Sequence, residues 1–454
     1  MAIPRLKDVL NVRGGGQLMG FSALDGTTDY SGGLVARTSF DGIGLDIKLP
    51  GECRLRFPDP LPGTLFLAGD CFTMRTAEGN VRGAFLDAHH ILIEGPCSVL
   101  SCQAAIRTQP GHGRILVGSS SHFIPDLLDS DMNRVLAARL AWLESISIPG
   151  SLPAHVRRTL YKALSVMKTQ VGSPEGIIRH RWTTPDRWPH RQMWLWDSAF
   201  HAIGWRHVDP VLARDMISAV LDTQTEDGFI PLCARPDKRS HLTQPPVLAL
   251  AARRIHEKSP CLEWIGRVFP QLAAYVEWDL THRDSDGNGL VEWAVEDHPT
   301  CRSGESGMDN SPRFDAATRL DAVDFNAFLA HECEILAGFA RELGRTEVSQ
   351  TWQARHDSLC RLMNEHLWND DVSFYVDRDI DRRSHSPVLA GSGFLPLICG
   401  APSPEQARRL ARHVADPLMF GTPLPIPTIA ARDTGHYAKD MWRGPVWINL
   451  NWLI

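Results

Sequence analysis

The chain has 454 residues, 43% of them apolar and 22% charged, and 47 Lys and Arg stand against 53 Asp and Glu for a net charge of −6. That balance excludes a disordered, collagen-like or disulfide-dense chain and argues against a nucleic-acid binder, which carries a basic face or tail. All 14 tryptophans lie between Trp142 and Trp452, an asymmetry that predicts two regions with different jobs.

The start, Met1-Ala-Ile-Pro-Arg-Leu-Lys7, lacks the apolar stretch of a signal peptide, and no run approaches the roughly 18 apolar residues of a membrane span. The expectation is a soluble, cytoplasmic protein with no membrane partner. The 10 cysteines show no C-x-x-C spacing, and Cys97 and Cys102 are the closest pair. They read as reduced, mostly buried thiols rather than as disulfides or a zinc site.

Residues 1–128 read as short strands of a β-rich, sandwich-like domain. Gly42-Ile-Gly-Leu-Asp-Ile-Lys-Leu49, Gly63-Thr-Leu-Phe-Leu-Ala68 and His90-Ile-Leu-Ile-Glu94 cluster or alternate apolar residues between Gly, Pro and Asp turns. With no catalytic motif, the domain serves as a packing or substrate-shaping accessory, or as an independent binding module. Residues 129–150 contain a linker helix, Asp131 to Leu143.

Residues 151–454 then offer helix after helix, near 151–171, 195–206, 209–223, 246–257, 260–282, 321–343, 346–367, 387–399, 403–415 and 442–454. Asp209-Pro210 and Ser403-Pro404-Glu405 place a capping side chain before a first-turn proline. Paired helices joined by long polar loops suggest a toroid of helical hairpins, which periodicity alone does not distinguish from a solenoid.

Four clusters carry chemistry. Trp194-Leu-Trp196-Asp197-Ser-Ala-Phe200 sets two indoles beside a carboxylate. That combination suits a sugar, whose C–H face packs on an indole while its hydroxyls donate to a carboxylate; core tryptophans with a capping Asp are the alternative. Gly228-Phe229-Ile-Pro231 leads to Gln244-Pro-Pro246, where an amide can donate and accept at once. In Gly304-Glu305-Ser-Gly-Met-Asp309-Asn-Ser-Pro-Arg313-Phe-Asp315, a carboxylic acid shielded from water has the makings of a general acid. The alternative is a structural loop in which Arg313 pairs with Asp309 or Asp315. Trp442-Arg443-Gly444-Pro-Val-Trp447 repeats the aromatic-plus-polar theme.

These stretches, in this order, resemble glycoside hydrolase family 63, which includes processing α-glucosidases and the mannosylglycerate and glucosylglycerate hydrolases. The resemblance covers about residues 190 to 454. It implies an (α/α)6 barrel and an exo-acting α-glycosidase that inverts the anomeric centre and requires no cofactor. Asp309 is then the general acid. Trp194, Trp196, Asp197, Phe229, Gln244, Arg313, Trp442, Arg443 and Gly444 line the subsite for the terminal sugar.

An inverting mechanism needs a second carboxylate about 6.5–9.5 Å from the acid to activate water. The resemblance expects a Glu some tens of residues beyond the Trp442 motif, whereas the last glutamate is Glu405 and the final run, Val446 to Ile454, is apolar. Ten helices are also two fewer than such a barrel has. The expectation is a C-terminally incomplete barrel, lacking its last helical pair and competent hydrolysis. Asp197 and Asp440 are the first places to look for another base. The rival function is a carbohydrate-binding or structural protein that keeps the pocket without turnover.

Asp284-Ser-Asp286-Gly-Asn288-Gly-Leu290-Val-Glu292 places oxygen ligands at alternate positions, like the first part of a calcium loop. The twelfth loop position, where such a loop ends on Glu, is Val295. A structural Ca²⁺ and a Gly/Asn turn are both open. The expected partner is a carbohydrate; its sugar and aglycone are unspecified, with Arg191, Arg313 and Arg443 available to an anionic group.

Overall fold

A computed structural model describes residues 15–40, 43–296, 298–316 and 319–454; the expected strand start at Gly42 and the N-terminal stretch 1–14 lie outside the described residues. The chain divides into two compact units, residues 1–194 with 235–237, and residues 195–234 with 238–454. Among the described residues no helix is long and apolar enough to cross a membrane.

The first unit is built on two antiparallel sheets. One has the order β1 (Leu18–Gly20), β2 (Val35–Thr38), β3 (Gly44–Leu49), β4 (Cys53–Arg56), β9 (Ser98–Cys102). The other runs β10 (Ile106–Gly111), β11 (Arg114–Ser119), β8 (His90–Glu94), β7 (Gly79–Phe85), β6 (Cys71–Thr76), β5 (Phe66–Leu67). Period-2 alternation sends Leu45 and Ile47, Phe72 and Met74, Ile91 and Ile93, and Ile115 and Val117 into one shared core. Pairing of Ile91 with Val117 and of Ile93 with Ile115 fixes the register.

Helices α1 (Met132–Ser145) and α2 (Ala154–Thr169) belong to this unit. This differs from the expected boundary at 150, and the reason is a buried cation. Lys168 of α2, 1% exposed, places Nζ 2.7 Å from Asp70 Oδ2 and from Asp25 Oδ2, and donates to the Arg139 carbonyl of α1. Burial opposes the charge, but the two carboxylates hold the ammonium above its usual range.

The second unit is helical. Three hairpins follow one another: α3 (Leu195–Trp205) with α4 (Pro210–Leu221), α5 (Leu248–Lys258) with α6 (Leu262–His282), and α7 (Val323–Glu342) with α8 (Thr346–His366). Within each pair the turn is short; between pairs run the long segments 222–247 and 283–322. The two caps form as expected: Asp209 Oδ1 accepts from the N–H groups of Val211 and Leu212, and Ser403 forms a reciprocal capping box with Gln406 at α9 (Pro404–Ala415). Helix α7 is buried nearly all round, while α8 buries only Ser349, Trp352, Leu359 and Met363. The pattern is that of an inner helix and an outer one.

Two expected helices come out shorter. Residues 391–397 make a 3-10 turn because Gly391, Gly393 and Pro396 disfavour the α-helical ladder. Helix α10 spans only Ile448–Leu453, since Gly444 takes φ +131°, Pro445 follows, and Trp447 is extended.

Candidate active site

The motif residues sit at the start of α3, on the two long segments between hairpins, and after α9, and hydrogen bonds and ring contacts draw these four stretches together. Trp196 opens α3, and its backbone N–H donates to Gln244 Oε1 at 3.1 Å. The neighbouring Thr243 N–H donates to Glu305 Oε1 at 3.1 Å. Gly307, two residues on, takes φ +67° and lies so close to Trp196 that a Cβ there would meet the indole at 2.6 Å. Only glycine permits that backbone conformation and that approach. On the other side Trp196 packs against Trp442, ring centroids 6.0 Å apart.

Glu305 is the hub of this arrangement. Its carboxylate is fully buried and accepts from Arg283 Nη2 at 2.6 Å, Arg283 Nε at 3.0 Å, and the backbone N–H groups of Thr243 and Ala294. Arg283 lies over the Trp278 ring, which packs on Phe229 at 4.9 Å. Thus the Phe229 loop is tied to the 304–315 loop through one arginine.

Asn310 joins the last motif. Its Nδ2 donates to Asp440 Oδ2 at 2.9 Å, and its Oδ1 accepts from the Trp442 N–H at 2.9 Å. Its carbonyl accepts from Arg443, whose two Nη atoms also pair with Asp315 at 2.8 and 2.7 Å. Gly444 donates its N–H to Thr428 Oγ1.

Asp309 stands half-buried between Met308 and Asn310, its carbonyl accepting from the N–H groups of Arg302 and Ser303. The Cys301 thiol contacts its carboxyl group. Burial, then the charges of Asp309 and Glu296, push that thiol up to about 12, so it stays protonated and able to donate.

The expected ligand-binding residues divide into groups. Trp196, Gln244 and Trp442 are buried (7%, 2% and 2% exposed), and Gln244 uses its Oε1 to brace the Trp196 turn rather than keeping it for a hydroxyl. Asp197 is half-buried in the first turn of α3; Phe229, Arg443 and Gly444 are half-buried too. Trp194 is the last residue of the first unit's main segment, its ring 6.2 Å from His190. Arg313 departs from both readings of the sequence. It is fully buried and pairs with Asp324 and with Asp377 at 3.2 Å, not with Asp309 or Asp315, so its guanidinium is committed to the interior instead of the ligand side.

In the 284–292 loop, Asp284 accepts from the N–H groups of Asn288 and Gly289, and Leu290 donates to Asn288 Oδ1. Asn288 Nδ2 lies 3.2 Å from Asp286 Oδ2 and from both oxygens of Asp321, a carboxylate the motif did not include. Burial pushes Asp321 up to about 6. Glu292 is turned to Ser285, accepting from its N–H and hydroxyl. Asp286 and Asp321 thus meet at the Asn288 amide nitrogen, while Asp284 is turned to the backbone N–H groups of the loop, so the three carboxylates do not converge on one point.

Across residues 190–454, more than half of the chain, the sequence matches the family model of the mannosylglycerate hydrolase MGH1-like glycoside hydrolase domain. The chain belongs to that family of glycoside hydrolases. This glycoside hydrolase is 26% identical to mannosylglycerate hydrolase MGH1 of Selaginella moellendorffii over 60% of its own length and 70% of the relative's. It is 24% identical to the glucosylglycerate hydrolase of Mycolicibacterium hassiacum, over 59% of its length and 80% of the other's. Among solved structures it resembles the family 63 mannosylglycerate hydrolase of Thermus thermophilus in complex with glucose, with 27% identity, a TM-score of 0.55, and coverage of 64% of this chain and 84% of that one. In this hydrolase the motifs that converge all fall inside the matched region.

Proposed function

We propose that the hydrolase is an exo-acting, inverting α-glycosidase on an (α/α)6 barrel, removing a terminal glucose- or mannose-type sugar from a small anionic glycoside such as a glycerate glycoside. The observation that carries this reading is the convergence of four motifs on Trp196 and the 304–315 loop. The hairpins with long loops between them support the barrel, and the relatives' names support the substrate class. Asp309 is the general acid, with the Cys301 thiol beside it. Trp196, Asp197, Phe229, Gln244, Trp442, Arg443 and Gly444 shape the sugar subsite, and Arg313 braces its loop from within. Within the chain, the carboxylate placed to activate water is Asp440, tethered to the neighbour of Asp309.

The test is a panel of α-glucosides, α-mannosides and their glycerate forms, read by calorimetry for binding and by NMR for the released anomer. Saturable binding of a glycerate glycoside with release of the inverted sugar is the expected result. Binding without turnover would leave a sugar-binding protein, and neither would end the proposal.

We also propose that the 284–292 loop, through Asp284, Asp286, Asn288, Leu290 and Glu292 with Asp321 alongside, takes up a structural calcium ion, its carboxylates drawing together on binding. At a hundredfold excess over Kd a ligand adds about 2.7 kcal/mol, a melting shift of roughly 5–10 °C for a unit of this size. An unchanged melting point in millimolar calcium against chelator would exclude it.

A further inference from the structure

The first unit carries a cluster that the glycosidase reading leaves unused. Asp29, His89 and His122 bring one ligand atom each to within 4.8 Å of one another, the one such group of His, Cys, Asp or Glu among the described residues. All three precede the family-matched region, which begins at residue 190.

The topology gathers them at one end of the sandwich. Asp29 lies between β1 and β2, His89 just before β8, and His122 in the turn after β11. Strands β8 and β11 are neighbours, and the Ser119 N–H donates to the His89 carbonyl at 3.0 Å. The Leu34 N–H donates to the Ala88 carbonyl at 2.7 Å, which pins the Asp29 loop beside them.

Each side chain is then aimed. Asp29 Oδ1 accepts from the Ser31 and Gly32 N–H groups, leaving Oδ2 turned to His89 Nε2 at 3.6 Å. His89 Nδ1 lies 3.2 Å from the Gly32 carbonyl, and His122 Nδ1 lies 2.9 Å from Ser121 Oγ. The Gly32 carbonyl can only accept, so His89 Nδ1 carries the proton and Nε2 keeps its lone pair, the arrangement of histidines that ligate metals. The Ser121 hydroxyl can donate or accept and leaves either tautomer open to His122. The two imidazoles stack, centroids 4.0 Å apart and planes 15° from parallel. Gly32 closes the site: a Cβ there would fall 2.7 Å from Asp29 Oδ2 and 3.3 Å from the His122 ring.

We propose that Asp29, His89 and His122 form a binding site for one divalent transition-metal ion, zinc in the first instance. Two imidazole nitrogens and one carboxylate oxygen are a borderline donor set that suits zinc and its neighbours better than calcium or magnesium. Around zinc, ligand atoms at about 2.0–2.1 Å lie roughly 3.3 Å apart at the corners of a tetrahedron. The 3.6 Å between Asp29 and His89 is close to that edge, and binding requires the stacked His122 ring to turn out of parallel so that both lone pairs face one ion. Three protein ligands leave the fourth position to water or a small anion. Asp29 also lines a solvent-open cleft with Tyr30, Arg187 and Arg191.

Equilibrium dialysis of the whole chain against zinc chloride, with metal analysis, tests the site. One equivalent is expected at a Kd of about 10 μM or tighter, and the cobalt-substituted protein should show the visible absorption of a tetrahedral ion. His89→Gln and His122→Gln should each weaken binding by about 30-fold or more, with far-UV circular dichroism confirming that both variants fold. Absence of stoichiometric zinc would overturn the proposal. So would binding that persists in the double variant, since the free thiols would then be the ligands.

Discussion

Replacing Asp309 by Asn is expected to lower kcat for glycoside hydrolysis by about 10³-fold, within the range that a positioned general acid contributes, while the Kd for substrate changes less than about threefold. The amide keeps the volume, and the Asp309 carbonyl keeps its bonds from the Arg302 and Ser303 N–H groups. It has no proton to give to the glycosidic oxygen. A substrate with an activated leaving group, such as a glycosyl fluoride, needs less protonation and should regain much of the rate. Activity of Asp309→Asn within tenfold of the parent on the natural linkage would remove Asp309 from the role. Asp440→Asn belongs beside it: an equal loss there would make Asp440 the water-activating base.

Glu305→Ala is expected to cost about 3–5 kcal/mol, the usual penalty for breaking a buried ion pair by removing one partner. Four donors lose their acceptor together: two from Arg283 and the backbone N–H groups of Thr243 and Ala294. The loops they belong to carry Gln244, Phe229 and Asp309, so sugar binding should fail with the fold. Urea unfolding followed by tryptophan fluorescence reads both, and a loss below about 1 kcal/mol would show that something else holds the loops. Glu305→Gln retains the shape and part of the bonding and should fall between the two.

What could be read from the sequence follows the range of the interactions. Strand alternation at Ile91 and Ile93, the caps at Asp209 and Ser403, and the hairpin spacing are local, and the structure repeats them. The motifs drew attention to Trp196, Asp309 and Trp442 because unusual residues crowd together there. Their connections stayed hidden, since Asn310 reaches Trp442 across 132 positions and Arg313 reaches Asp377 across 64. Nothing near Arg313 signals that its partners lie outside its own loop. Glu305 stood inside a quoted motif without a role, and its burial against Arg283 is what assigns one. Cys301 beside Asp309 left no signal, for a lone cysteine in a loop has no pattern.

Helix α5 raises a question of order. No side chain at its own start caps it; its first free N–H groups, on Ala249 and Leu250, donate at 2.7 Å to Glu332 of α7, 83 and 82 positions later. Burial pushes that carboxyl up to about 8. During synthesis α5 therefore emerges with its N-terminus unsatisfied and waits for the third hairpin to arrive. The second hairpin taken alone should fray at that end, and a ribosome-bound chain stopped before residue 332 should stay open to proteases around 247–250. The middle of this unit is finished by a later part of the chain.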